Sequence, residues 1–206
     1  ILKRAEASLR RLRRDCIDVY QLHSPDREDL ERGDWLEGLS RLREQGKIRI
    51  PAVAIGPSAD GLFLIEQGFV QVLQVTYNIF EIEPEQRLFA AAEAAGTGIL
   101  VRMPLARGVL SGKFTPGAEI PEGHRARLDR DKALRNVVWA EELRPLAAQY
   151  PGGMARLAHH FALAPRAVSA TIPGARTREQ LEENVAASNG AGLAPHRRRG
   201  EGDVAA

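Results

Sequence analysis

The runs KIRIPAVAIG, FVQVLQVTY, TGILVRMP and AVSATIPG are apolar along most of their length, where a half-exposed strand would alternate apolar with polar residues. Strands of that kind belong in a parallel sheet covered on both faces. With IDVYQLH ahead of them they give five strands, near 17–23, 50–55, 70–76, 98–103 and 168–172. Between them the spacing turns helical. Over 28–45, Leu30, Leu36, Leu39 and Leu42 form one stripe, and Gly46 follows as a C-cap. A shorter helix is predicted over 60–67, closing at Gly68. Another covers the alanine-rich 84–95, with Pro84 in its first turn. Helices follow at about 130–149 and 152–163, and over TREQLEENVAAS at 177–188, where Thr177 and Gln180 match a capping box. The connection after Pro104, with Pro116, Gly117, Pro121 and Gly123, reads as loop. The alternation of strand and helix defines an α/β fold. A doubly wound sheet and a (β/α) barrel both satisfy it, but no GxGxxG follows any strand.

A chain of 206 residues, 44% hydrophobic and 27% charged, can bury one sizeable core, so a single domain over 1–189 is expected. The net charge of +2 is too small to argue for nucleic acid, and RRLRR at 10–14 reads as the solvated face of a helix. Cys16 is the only cysteine, which leaves no intramolecular disulfide and fits a reducing cytoplasm. No apolar run is long enough to span a bilayer, and the N-terminus lacks the apolar core of a signal peptide. Leu2, Ala5, Leu9 and Leu12 keep helical spacing with no capping residue before Ile1, so the expectation is a chain cut upstream. The tail over 190–206 has little apolar periodicity and is expected to be disordered.

Polar groups at strand ends mark the candidate chemistry. DVYQLHSPD places His23 at the carboxyl end of a strand, ahead of the turn chemistry of Ser-Pro-Asp. Active sites of parallel sheets gather at that edge. Taken alone, a histidine bonding a neighbouring backbone group is the simpler account of it. Period-two alternation puts His23 on the face of Ile17, Val19 and Gln21, with Tyr20 opposite. Gln74, Tyr77, Asn78 and Arg102 end other strands. In IPGARTREQLEEN, at 172–184, the loop Gly174-Ala175-Arg176 enters a helix N-terminus suited to an anion, and Arg176 offers a planar fork of donors for a phosphate. A turn glycine with a surface arginine is the other reading. His159 and His160 point about 100° apart on a helix and have no HExxH motif, so a metal site is not expected. His160 reads as partly packed and His159 as exposed, while Trp35 and Trp139 read as packing residues.

DVYQLHSPD, EGLSRLREQGKIR, VQVLQVTYN, PLARGVLSGKF and IPGARTREQLEENV, in this order across roughly 5–188, resemble the aldo-keto reductases. The resemblance implies an incomplete (β/α)8 TIM barrel that holds NADPH and reduces small carbonyl substrates, aldehydes or ketones, by hydride transfer. It implies that His23 is catalytic, orienting the substrate carbonyl, and that Gln74 contacts the nicotinamide carboxamide. Pro104, Leu105, Ala106, Gly108 and Lys113 match the loop over the pyrophosphate. Gly174, Arg176, Gln180, Glu183 and Asn184 match the adenosine end, with Arg176 and Gln180 toward the 2′-phosphate and Glu183 and Asn184 toward the adenine.

The departures carry their own expectations. The family's general acid is a tyrosine supported by a lysine and an aspartate, all before the strand that bears the histidine, and Tyr20, Tyr77 and Tyr150 do not replace it. Ala54 and Ile55 stand where the family often has Ser-Asn. Arg102 and Met103 replace its aromatic stacking residue, so Arg102 joins the cofactor candidates. The chain is therefore expected to be inactive alone, and its open barrel edges invite self-association. A non-catalytic nucleotide-binding or subunit-interaction protein is the alternative.

Overall fold

A computed structural model describes residues 1–188, and the tail expected to be disordered lies outside the described residues. The elements are α1 (Leu2–Leu12), β1 (Ile17–His23), α2 (Arg27–Arg32), α3 (Asp34–Glu44), β2 (Ile48–Ala54), α4 (Ser58–Glu66), β3 (Val72–Thr76), α5 (Leu88–Ala95), β4 (Gly98–Arg102), α6 (Arg130–Glu142), α7 (Arg144–Ala147), α8 (Gly153–Leu163), β5 (Val168–Thr171) and α9 (Arg178–Ala186). They fall into two compact units, one of Ile1–Pro104 with Pro165–Ile172, the other of Leu105–Ala164 with the described residues from Pro173 to Ser188.

The first unit holds the sheet. Its five strands lie in the order β1-β2-β3-β4-β5, and every neighbouring pair is parallel. Spatial order thus equals chain order. A doubly wound sheet reverses direction at a switch point, so the sheet is of the barrel type, and its five strands with surrounding helices are consistent with part of a (β/α)8 barrel. On one face Val53, Leu73 and Ile99 share a row and are fully buried. Leu42 of α3, Leu64 of α4 and Leu88 and Ala92 of α5 complete that core. On the other face Val72, Gln74, Thr76, Leu100 and Arg102 are only partly buried. The expectation of a sheet covered on both faces therefore holds for the helix side alone among the described residues.

Close helix–sheet approach depends on Gly61. A Cβ there would lie 2.7 Å from Ile55 Cδ1 and 2.8 Å from Leu88 Cδ1, so a side chain at that point would force these buried methyls or α4 itself to shift.

Several helices are shorter than their periodicity implies. The stripe over 28–45 is broken at Gly33, whose φ of 71° ends α2 before α3 begins. Pro84 lies in a single 3-10 turn, Glu83–Glu85, ahead of α5 rather than in its first turn. The span 130–149 divides into α6 and α7, with Pro145 opening the second. Gly46, expected as a C-cap, lies one residue past the Gln45 cap of α3 and takes the left-handed turn that ends the helix, at φ 69°.

In the second unit the connection read as loop contains 3-10 segments at Ala106–Ser111 and Arg125–Asp129. Arginines tie this irregular backbone down. Arg127 Nε donates to the Ile120 carbonyl at 2.9 Å, and Arg144 Nη2 to that of Phe114 at 3.0 Å. Phe114 also packs edge-on against His124. Gly108, at φ 95°, passes so close to His124 that a Cβ would meet its ring at 3.1 Å.

Candidate active site

The β1 histidine ends its strand beside β2. The register pairs His23 with Ala54, Ala54 with Gln74, and Gln74 with Leu100, so these residues form one row across four strands. Alternation along each strand then fixes the face. Gln21 lies on the same face as His23, and Gln74 Nε2 donates to Gln21 Oε1 at 3.1 Å across the intervening β2. Ala52 and Ala54, both small, leave room for that contact. The imidazole of His23 is exposed. It shares the partly open face with Gln74, as alternation predicted.

The turns after these strands are held in unusual backbone. Ser24 follows His23 at φ 52°, and its N–H donates to the Ala54 carbonyl at 3.0 Å. Met103 follows Arg102 at φ 57°, and Asn78 Nδ2 donates to its carbonyl at 3.1 Å. Left-handed conformations at non-glycine residues cost energy and collect where a site is being shaped.

Arg102 extends the same face by one register step beyond Leu100. Its Nε donates to Thr76 Oγ1 at 2.9 Å and its Nη2 to the Ile55 carbonyl at 2.9 Å, which pins the guanidinium across the ends of β2, β3 and β4. Of the two residues replacing Ser-Asn, Ala54 is on this face. Ile55 turns its buried side chain to the helices and offers only its carbonyl.

Neither tyrosine of the first unit reaches the row. Tyr20 alternates to the face opposite His23. Tyr77 is 1% exposed, packs against Phe89 of α5 and donates its hydroxyl to Glu85. Tyr150 belongs to the second unit, where it meets His160 edge-on.

In the second unit Ala106 and Arg107 adopt positive φ of 45° and 56°, and Lys113 is exposed beyond them. Pro104, at the end of the first unit, is buried and Leu105 is half-buried. Around α9, Gly174 and Arg176 are exposed, as is Glu183. Thr177 caps the helix, its Oγ1 accepting from the Gln180 N–H at 3.3 Å. The second half of the expected capping box is displaced by one residue: Gln180 Oε1 accepts from the N–H of Arg176 at 2.8 Å, not from that of Thr177. The Glu179 carboxyl is held below its usual range by its own backbone N–H, with help from Thr177.

Two expectations fail in this unit. His159, read as exposed, is 2% exposed, and its Nε2 bonds Asn184 Oδ1 at 2.9 Å. Burial pushes the His159 pKa down from its ordinary value, with Arg156 and His160 adding to the effect and the Asn184 bond opposing it. His160 is buried as well. The Asn184 amide, expected to face an adenine, has its oxygen engaged by a histidine. Trp139, read as packing, is 54% exposed, while Trp35 is buried as expected.

The Gln21–Gln74 pair was missed in the sequence: a glutamine interrupts each apolar strand, but only the register shows that the two share a face. The His159–Asn184 pair left no such signal.

The sequence profile of the Aldo/keto reductase family matches residues 1–193. The "NADH-specific methylglyoxal reductase" of Escherichia coli is 29% identical over 194 residues, covering 92% of this chain and 59% of that protein. "Aldo-keto reductase yakc [NADP(+)]" of Schizosaccharomyces pombe is 29% identical over 199 residues, covering 91% of this chain and 57% of that one. Among solved structures, the glycerol dehydrogenase AKR11B4 of Gluconobacter oxydans superposes with a TM-score of 0.77 at 26% identity, covering 93% of this chain and 59% of that one. The chain therefore spans under two thirds of the length of the relatives it matches. It belongs to the aldo-keto reductase family of oxidoreductases.

Proposed function

We propose that these residues form the cofactor- and carbonyl-holding part of an NADPH-dependent reductase of aldehydes or ketones. The observation that carries the reading is the row His23-Ala54-Gln74 on the partly open face of the sheet, with Gln21 bonded to Gln74. The donor set fits a nicotinamide dinucleotide. A primary amide can both donate to and accept from a carboxamide, so Gln74, steadied by Gln21, would hold that end. In the second unit, taken by itself, Lys113 and Arg176 are exposed cations, and the family resemblance assigns them to the phosphates, Arg176 to the 2′-phosphate that separates NADPH from NADH. When bound, the nicotinamide supplies a hydride to the carbonyl carbon. His23 donates a hydrogen bond to the carbonyl oxygen, where charge builds as the hydride moves. Gln180 has a supporting role in this scheme, because its side chain secures the Arg176 backbone.

General acid catalysis contributes roughly 10²- to 10⁴-fold, and neither tyrosine of the first unit, Tyr20 or Tyr77, stands on the His23 face, so we expect residues 1–206 alone to be slow. The same observation favours a second reading, nucleotide binding without turnover. Following NADPH oxidation with a generic aldehyde separates the two. Slow but measurable reduction that disappears in His23→Ala supports the reductase, whereas binding without any reduction leaves the second reading. Reduction at the rate of an intact family member would contradict the account of the missing acid. The outer edges of β1 and β5 carry no further strand among the described residues, and we expect the chain to self-associate through them.

A further inference from the structure

Arg102 is a cation without a counter-charge. Both of its hydrogen bonds go to neutral oxygens, Thr76 Oγ1 and the Ile55 carbonyl, and among the described residues no carboxylate pairs with it. Those two bonds hold the guanidinium of a residue on the face of the sheet that carries Gln74 and His23. A positive charge held in this way discriminates between ligands by their charge.

Distance decides which ligand feels it. Arg102 is one strand and one pleat from Gln74, about 8 Å between Cα atoms, but three strands and one pleat from His23, about 16 Å. The nearer partner is therefore the ring whose carboxamide Gln74 holds, not the carbonyl at His23. That ring is neutral when reduced and a cation when oxidised. We infer that Arg102 makes this site select the reduced nicotinamide over the oxidised one, so that the cofactor leaves more readily once its hydride has been delivered. The inference rests on the nicotinamide reading above and adds to it a residue that sets redox-state preference.

The test is equilibrium binding of NADPH and NADP⁺ to the 206-residue chain, by calorimetry, in wild type, Arg102→Gln and Arg102→Lys. Wild type should bind NADPH about tenfold or more tightly than NADP⁺, since a unit charge at this range is only partly screened. Arg102→Gln should bring the two affinities within about threefold, mainly by tightening NADP⁺, and Arg102→Lys should keep the preference. Parallel weakening of both forms in Arg102→Gln would identify a phosphate contact and overturn the inference. A wild-type ratio near one overturns it whatever the variants do, so it can fail even if Arg102→Gln does not fold. Binding of neither form removes the nicotinamide reading and this inference together, an outcome distinct from binding of both without preference.

Discussion

Gln74 of β3 and Gln21 of β1 join their side-chain amides at 3.1 Å although β2 runs between them. The contact exists because at this point β2 presents the small Ala52 and Ala54 on that face, opposite Gln21 and Gln74 in the register. Two amides in partly apolar surroundings satisfy each other, and a lone one would leave a donor or acceptor unpaired at a cost of about 1–3 kcal/mol. The pair therefore sets where Gln74 points.

Replacing Gln21 with leucine should leave the fold intact and loosen Gln74. The expected outcome is a several-fold weaker NADPH affinity with little change in melting temperature. Unaltered affinity would mean that Gln74 is positioned by something else.

Arg176 bears on the choice between the two dinucleotides, on which the relatives themselves divide, one described as NADH-specific and another as NADP(+). Losing a charge-assisted contact commonly costs about 1.5–3 kcal/mol. Arg176→Ala should accordingly weaken NADPH by at least about tenfold and leave NADH nearly unchanged. Equal loss for both in a calorimetric titration would remove the 2′-phosphate assignment.

The His159–Asn184 bond makes the packing of α8 against α9 sensitive to acid. Burial lowers the His159 pKa in the folded chain, while the unfolded chain keeps the ordinary value of 6.5. Above that value both states hold the ring neutral and stability is unaffected. As pH falls below 6.5 the unfolded state takes up the proton first, and stability declines until the lowered folded value is passed. Thermal melts at pH 7.5 and 5.5 should show a drop in wild type that is smaller in His159→Gln. Identical drops would place the acid sensitivity elsewhere.

Gly61→Ala tests the packing of the first unit. The added methyl would press on Ile55 and Leu88 at less than 3 Å, and overpacking of this kind costs about 1–3 kcal/mol. Chemical denaturation should show that loss without a change in slope; an equal or higher stability would mean that α4 can move away from the sheet.

The strands were legible in the sequence because apolar runs bounded by glycine and proline leave little choice of conformation, and His23 could be placed by counting alternate residues from Ile17. Helix ends were less so. Gly33 sits inside a stripe of leucines that continues across it, and only the left-handed turn it adopts shows that the chain breaks there. Contacts between side chains distant in sequence were least legible. His159 stands beside His160 with nothing local to say which is buried, and its partner lies 25 residues on, in a helix with no buried residue of its own. Arg102 could be seen as a departure from the family pattern, but its two neutral partners came only with the register of β3 and β4.

Titration of NADPH into the 206-residue chain, with Gln74→Leu beside it, tests the central claim most directly. The account predicts saturable one-to-one binding by the wild-type chain, weakened about tenfold by Gln74→Leu because a buried ligand amide then loses its partner. No saturable binding by the wild-type chain, or equal binding by both, would contradict the placement of the nicotinamide on the face that carries His23 and Gln74.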